Sequence, residues 1–235
     1  MKTKLAEKAA DLVFKENYVI FGSGTTVNLI IDSIGKLHPD LSKLIAFSAS
    51  SATSNKLREY NIHEGSLSYL HSLSKTKHLI CVDSLDQIII GTPIAESQMI
   101  KGHGAALFRE KVVWKLAHTV LAVLDDTKVK QKFDTYIPIT VVPGALDLVM
   151  REIHTNYPTF KPVLRVHGLG NTPVITDNGH YLIDIHYQEP ISDLRSLHNS
   201  LKLMLGVVET GIFTSKNYSN LQLLVGYEDH QDHLV

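Results

Sequence analysis

The sequence predicts an α/β protein: a mostly parallel sheet with helices on both faces, plus a smaller inserted α+β domain. Three observations lead there. Through the first half of the chain, short apolar runs of strand length alternate with stretches whose apolar residues recur at helical spacing. Polar loops bearing glycine, serine or aspartate follow those apolar runs directly. From about Phe133 the rhythm changes to a strand, a helix and a hairpin signal. Strands that alternate with helices are covered on both faces, which explains why they are apolar throughout.

Each element has its own signal. Leu5, Ala9, Leu12 and Val13 mark an amphipathic helix ending near Phe14, and Tyr18–Phe21 is a short strand. Gly22-Ser23-Gly24-Thr25-Thr26 follows at once, and Val27, Ile30, Ile31 and Ile34 define a second helix. Leu44–Phe47 reads as a strand, with Ser48–Ser51 leading into a helix through Leu57 and Tyr60. Leu79–Val82 is a strand closing on Asp83-Ser84-Leu85-Asp86-Gln87. A helix after Gly104 runs to about Ala117, and Val120–Leu124 closes on Asp125-Asp126-Thr127-Lys128. Ile137–Val142 is strand-like, Ala145–Ile153 is helical, and Val163–Val166 precedes a hairpin over Val174–Ile185. Its turn is Asn178-Gly179, a pair suited to the positive φ of tight hairpin turns. A helix from about Ser192 to Met204 follows, and Gly206–Phe213 and Leu221–Val225 are late strands expected to return to the first sheet.

Bulk properties exclude several classes. At 235 residues, 44% hydrophobic and 20% charged, the chain can bury a sizeable core. A formal net charge of -1 and scattered basic residues give no nucleic-acid footprint. No apolar run approaches the ~20 residues of a membrane span, and the N-terminal residues are not expected to act as a signal peptide. Cys81 stands alone inside an apolar strand, so a buried thiol in a reducing, cytoplasmic setting is expected. Among thirteen histidines no His-Glu-x-x-His occurs, and His230-x-x-His233 lies in a polar tail, so no metal site is expected.

In an open parallel sheet, ligands bind beyond the carboxyl ends of the strands. Gly22–Thr26, Ser50–Thr53, Asp83–Gln87 and Asp125–Lys128 should gather on that edge. The Gly22–Thr26 loop can present amides and hydroxyls to a phosphate at a helix start, or serve only as a tight capped turn. It lacks the Walker lysine and the third glycine of a dinucleotide fingerprint. Lys101-Gly102-His103-Gly104 is a flexible turn running into a helix that carries Glu110 nine positions on. Such a pair can offer one cation and one proton acceptor to a small phosphorylated or enolisable compound.

With these segments in hand, the chain resembles the A-type ribose-5-phosphate isomerases over essentially its whole length. Gly22-Ser23-Gly24-Thr25-Thr26 matches their glycine-threonine-glycine-serine-threonine loop, and Asp83-Ser84-Leu85-Asp86-Gln87 their aspartate-glycine-alanine-aspartate-glutamate. Lys101 to Lys111 matches their lysine-glycine-glycine-glycine-alanine segment ending in arginine-glutamate-lysine, and Asp125-Asp126-Thr127-Lys128 their aspartate-x-serine-lysine. Thr176–Gly179 and Gly206–Phe213 are similar as well.

The resemblance implies a Rossmann-like domain over 1–132 and 206–235 and an inserted α+β domain over 133–205. It also implies interconversion of ribose 5-phosphate and ribulose 5-phosphate through an enediolate, without nucleotide or metal, by a homodimer or homotetramer. Glu110 matches the general base. Asp83, Asp86 and Lys101 match residues that handle ring opening, hydroxyl proton transfer and the developing negative oxygen. Gly24, Thr25, Thr26, Ser50, Gly102, Gly104 and Lys128 fall in the phosphate and substrate pocket. The chain departs from the pattern at Ser84, Leu85, Gln87 and His103. A serine in place of glycine is costly where the backbone needs positive φ. These departures leave two alternatives beside the first reading: a sugar-phosphate-binding protein with little catalysis, and an isomerase of another phosphosugar.

Overall fold

Three sheets organise the chain in a computed structural model, which describes residues 2–168, 170–191, 193–218, 220–227 and 233–234. Helix α1 (Lys2–Val13) leads to β1 (Tyr18–Phe21), α2 (Thr25–Leu37), β2 (Ile45–Ser48), α3 (Ser51–Glu59), β3 (His63–Glu64), α4 (Leu67–Leu73) and β4 (Ile80–Asp83). Two short strands, β5 (Gln87–Ile89) and β6 (Gln98–Ile100), come before α5 (Leu107–Leu116) and β7 (Thr119–Asp125). Then come β8 (Ile137–Val141), α6 (Leu146–Asn156), β9 (Lys161–Leu164), β10 (Tyr181–His186), α7 (Leu194–Leu203) and β11 (Val207–Thr210). The chain closes with β12 (Ile212–Thr214), β13 (Leu221–Gly226) and β14 (His233–Leu234).

The largest sheet has the order β14-β13-β7-β4-β1-β2-β3, parallel except for β14. Its side chains divide with period two, as strand geometry requires. Ile20, Phe47, Cys81, Val120 and Ala122 pack with Trp114 of α5 on one face. Val19, Phe21, Ala46, Val82, Leu121 and Val123 meet Leu5 and Ala9 of α1 and Ile30 of α2 on the other. Cys81 is buried, and desolvation together with Asp83 pushes its thiol well above the usual range. Among the described residues no helix is long and apolar enough to cross a membrane.

The second sheet, β11-β8-β10-β9, is antiparallel and carries α6 and α7 in a βαββαβ succession. Ile137, Ile139, Val149, Ile183, Leu194 and Leu201 form its core. The Asn178-Gly179 turn is present: Gly179 has φ 76, and Ile175 bridges Tyr181. Beyond that one bridge, β10 pairs with β8 and β9 instead of completing a long hairpin. The third sheet is β12-β6-β5.

One expectation differs from the pairing. Gly206–Phe213 does not return to the large sheet: β11 lies on β8, and β12 on β6. Gly211 separates them. A Cβ there would stand 2.2 Å from the Lys101 carbonyl oxygen, so the chain passes tightly against the Lys101 turn and changes sheets. Only β13 rejoins the parallel sheet, beside β7. Ser192 and His230 fall outside the described residues; α7 is capped by Asp193, whose side chain accepts from Ser196 N.

Candidate active site

The carboxyl ends of β1, β2, β4 and β7 bring the polar loops together. Gly22 is the hinge of the arrangement, because a Cβ on it would lie 1.9 Å from Cγ of Asp83. The absent side chain is the space that the Asp83 carboxylate fills. Across the same junction, Thr53 donates its hydroxyl to the Gly22 carbonyl at 2.8 Å. Ser50 caps α3 by accepting from Thr53 N at 3.1 Å.

Asp83 ends β4 with no exposure and four donors. Its Oδ1 accepts from Ser84 N at 2.7 Å and Ser23 N at 3.3 Å. Its Oδ2 accepts from Trp114 Nε1 at 2.7 Å and lies 3.1 Å from Lys101 Nζ. Lys101 Nζ is also 3.2 Å from Glu110 Oε1 and donates to the Ser84 carbonyl at 2.5 Å. A buried ammonium survives only with such partners. Burial opposes its charge, but Asp83 and Glu110 prevail and hold its pKa above the usual lysine range.

Glu110 lies in the first turn of α5 and is buried. Its Oε1 accepts the Ser23 hydroxyl at 2.7 Å, while Oε2 has no hydrogen-bond partner although it is buried. Desolvation pushes the carboxyl up to about 7; Lys101 and the Ser23 bond pull the other way, and Asp83 adds to the rise. A buried oxygen with an idle lone pair, on a carboxyl that titrates near neutrality, suits a proton acceptor.

Beside this cluster opens a cavity of about 270 Å³, lined by Ser23, Gly24, Thr25, Ser50, Gly104 and Asp177 among others. Gly24 precedes α2 with φ 102, a conformation that favours glycine. The start of α3 is also there, and Asp177 of the small unit already accepts from Ser51 N at 2.7 Å. Arg109 holds the same turn, donating to the Asp177 carbonyl at 3.2 Å and to Asn178 Oδ1 at 3.1 Å.

Asp83, Lys101 and Glu110 therefore form one contact cluster, and Gly24, Thr25, Ser50 and Gly104 share the adjoining cavity. Thr26 is buried in α2 behind the loop, and Gly102 (φ 109) backs onto Leu107, so neither lines that cavity. Asp86 is partly exposed and accepts from His103 N at 3.0 Å. Lys128 reaches Ser84 Oγ at 3.0 Å; desolvation lowers its pKa against the pull of Asp125 and Asp86. Sequence reasoning named Ser23 and Asp177 only within matched segments, without a role, and did not single out Trp114. Trp114 was accessible in principle, since it follows Glu110 by four residues and so shares its helix face.

The departures from the family pattern each have a place. Among the described residues only Asn61 and Ala105 combine a side chain with positive φ, so Ser84 carries no such strain. Leu85 is buried in the core beside Ile88. Gln87 pairs with Asp134, both donating to its carboxylate and accepting from its amide at 3.1 Å.

Comparison with known proteins places this geometry. The chain matches the model of the family described as ribose 5-phosphate isomerase A (phosphoriboisomerase A) over residues 45–230. It is 32% identical over 216 residues to ribose-5-phosphate isomerase A 1 of Oceanobacillus iheyensis, covering 91% of this chain and 89% of that one. Ribose-5-phosphate isomerase of Dictyostelium discoideum is 31% identical over 220 residues, with 91% and 89% covered. The fold matches the structure of ribose 5-phosphate isomerase A from Methanocaldococcus jannaschii with a TM-score of 0.84 at 27% identity, covering 100% of this chain and 97% of that one. With Lys101 held between Asp83 and Glu110 beside the glycine loop, and with these matches over most of its length, the chain belongs to the ribose 5-phosphate isomerase A family.

Proposed function

We propose that the protein interconverts ribose 5-phosphate and ribulose 5-phosphate at this cluster, with Glu110 as the base. The observation that carries the residue assignment is the unpartnered Glu110 Oε2 on a carboxyl whose other oxygen lies 3.2 Å from Lys101 Nζ. The phosphate binds in the cavity formed by the Gly24–Thr25 loop and Ser50, at the starts of α2 and α3, where it displaces the Asp177 carboxylate from the Ser51 amide. Holding that remote group positions the reacting carbons.

In the open-chain aldose, Glu110 removes the proton from C2. The C–H electron pair forms the C1–C2 double bond, and the carbonyl electrons move onto O1. Lys101 stabilises that developing negative oxygen. Glu110 then returns its proton to C1, while the O2 hydroxyl proton passes to O1, leaving the ketone at C2. Asp83 has donors on both oxygens and no exposure, so it anchors Lys101 and takes no proton from the sugar. Asp86, a partly exposed carboxylate, handles the hydroxyl protons and ring opening, and Lys128, near enough to feel its charge, donates to Ser84 Oγ.

A coupled assay of ribulose 5-phosphate formation tests the assignment. Glu110→Gln lowers kcat by at least ~10²-fold, the usual loss for a general base. Unchanged turnover in that variant removes Glu110 from the role. We further place the protein in the cytoplasm as a dimer or tetramer. In support, Leu203 and Leu205 are 87% and 77% exposed, and Val142 beside them is 46% exposed.

A further inference from the structure

We propose that His103 is a positioning residue for Asp86, with Thr135 setting the imidazole tautomer that makes this possible. The proposal rests on the reading of Asp86 above. It starts from the one place where the Lys101 turn carries a side chain instead of a third glycine.

The His103 ring is held on three sides. It stacks on Tyr136 with centroids 4.1 Å apart and planes 19° from parallel. Its Nε2 lies 3.2 Å from Thr135 Oγ1 and 3.4 Å from the Tyr136 carbonyl oxygen. Its Nδ1 faces Asp86, 3.7 Å from Oδ1, while the backbone amide of the same residue donates to Oδ2 at 3.0 Å. The turn beneath is pinned from the small unit: Arg165 donates to the carbonyls of Gly102 and His103 at 3.2 and 2.9 Å. The rest of the Arg165 guanidinium grips Asp184 at 2.8 and 2.5 Å. The ring is therefore a fixed object, not a free surface histidine.

A neutral imidazole has one donor and one acceptor nitrogen. If Nε2 carries the hydrogen, it donates to Thr135 Oγ1 or to the Tyr136 carbonyl, but the Nδ1 lone pair then faces the Asp86 carboxylate, which is repulsive. If Nε2 accepts the Thr135 hydroxyl, the hydrogen sits on Nδ1 and points at Asp86. The second arrangement gives Nε2 the Thr135 hydroxyl and turns the Nδ1 hydrogen toward Asp86 Oδ1, an electrostatic contact at 3.7 Å, while the amide donates to Oδ2. A glycine at 103 keeps the amide on Oδ2 but leaves Oδ1 without the ring that faces it. His103 thereby fixes the plane of the carboxylate that meets the sugar hydroxyls.

Four substitutions separate the contacts. His103→Asn places an amide nitrogen where Nδ1 stands, and His103→Gln places one where Nε2 stands. Thr135→Val removes the hydroxyl, and Thr135→Ser keeps it. By analogy with the partners that orient metal-ligating side chains, losing such a contact costs about 10-fold. His103→Gln and Thr135→Val should each lower kcat for ribose 5-phosphate about 10-fold with KM little changed, while His103→Asn and Thr135→Ser stay near wild type. The tautomer is read separately from the ring ¹⁵N shifts of His103, which need no turnover. Nδ1–H in the wild type and a switch to Nε2–H in Thr135→Val are expected. Nε2–H in the wild type overturns the proposal, as does undiminished kcat in both His103→Gln and Thr135→Val. Failure of the Asp86 reading shows differently: Asp86→Asn then keeps its turnover while the ¹⁵N result stands.

Discussion

The Ser23 hydroxyl donates to Glu110 Oε1 at 2.7 Å, and this bond leaves Oε2 as the oxygen without a partner. The glycine loop thus does two jobs. Its backbone faces the cavity, and its one serine side chain orients the base.

The first expected outcome concerns pH. Glu110 accepts a proton only as a carboxylate, and burial raises it to about 7. kcat/KM should therefore fall about tenfold per unit below pH 7 and level off above it. Stability runs the opposite way. Between the ordinary value of 4.5 and about 7 the folded protein holds a proton that the unfolded chain has released. The contribution of Glu110 to stability is thus lost as pH rises through that window. Glu110→Gln should flatten this part of the slope in urea titrations at pH 5, 6 and 7.

Lys101→Met removes the cation that serves Asp83 and Glu110 at 3.1 and 3.2 Å. Leaving buried carboxylates without their partner costs about 3–5 kcal/mol, readable as a lower urea midpoint. Since Lys101 is what pulls the Glu110 pKa down, the acid limb of residual activity should move to higher pH. A limb that stays in place would show that the two groups are not coupled.

Trp114→Phe keeps an aromatic ring against Phe213, whose centroid is 5.1 Å away, but removes the indole donor to Asp83. An unmet buried acceptor costs about 1–3 kcal/mol. The loss should appear in chemical denaturation, with kcat reduced because Asp83 then holds Lys101 less firmly.

Gly104→Val fills space without touching the proton-transfer groups. A Cβ there meets only Ser23 Oγ, at 3.6 Å, and its methyls enter the 270 Å³ cavity. KM for ribose 5-phosphate should rise about tenfold, equivalent to ~1.4 kcal/mol, with the melting temperature unchanged. An unaltered KM would place the phosphate elsewhere.

The parallel sheet was legible because Tyr18–Phe21, Ile80–Asp83 and Thr119–Asp125 are apolar runs followed at once by polar loops. Strand burial on both faces writes itself into the sequence. Two-residue β3 and the three-residue strands β5 and β6 left no such trace, being too short for a period to show. The switch of sheets at Gly211 depends on a neighbour over a hundred residues away, which no local pattern records. The same distinction holds in the site. Lys101 and Glu110 stand nine positions apart around a glycine turn and could be paired by eye. The engagement of His103 with Asp86, Thr135 and Tyr136 requires three separate segments to meet.

The contact between Lys101 N and the Gly211 carbonyl, 2.9 Å long, also fixes a schedule. Strand β6, which delivers Lys101, pairs early with β5 but gains its second neighbour only from Ile212–Thr214, and β7 is flanked on one side by Leu221–Gly226. On the ribosome, the glycine loop, both aspartates and the base are all synthesised well before those segments emerge. A chain released early would hold every residue of the reaction and still lack the fold that brings them together. A product truncated before Ile212 is therefore expected to lack the β6–β12 pairing and to show no turnover.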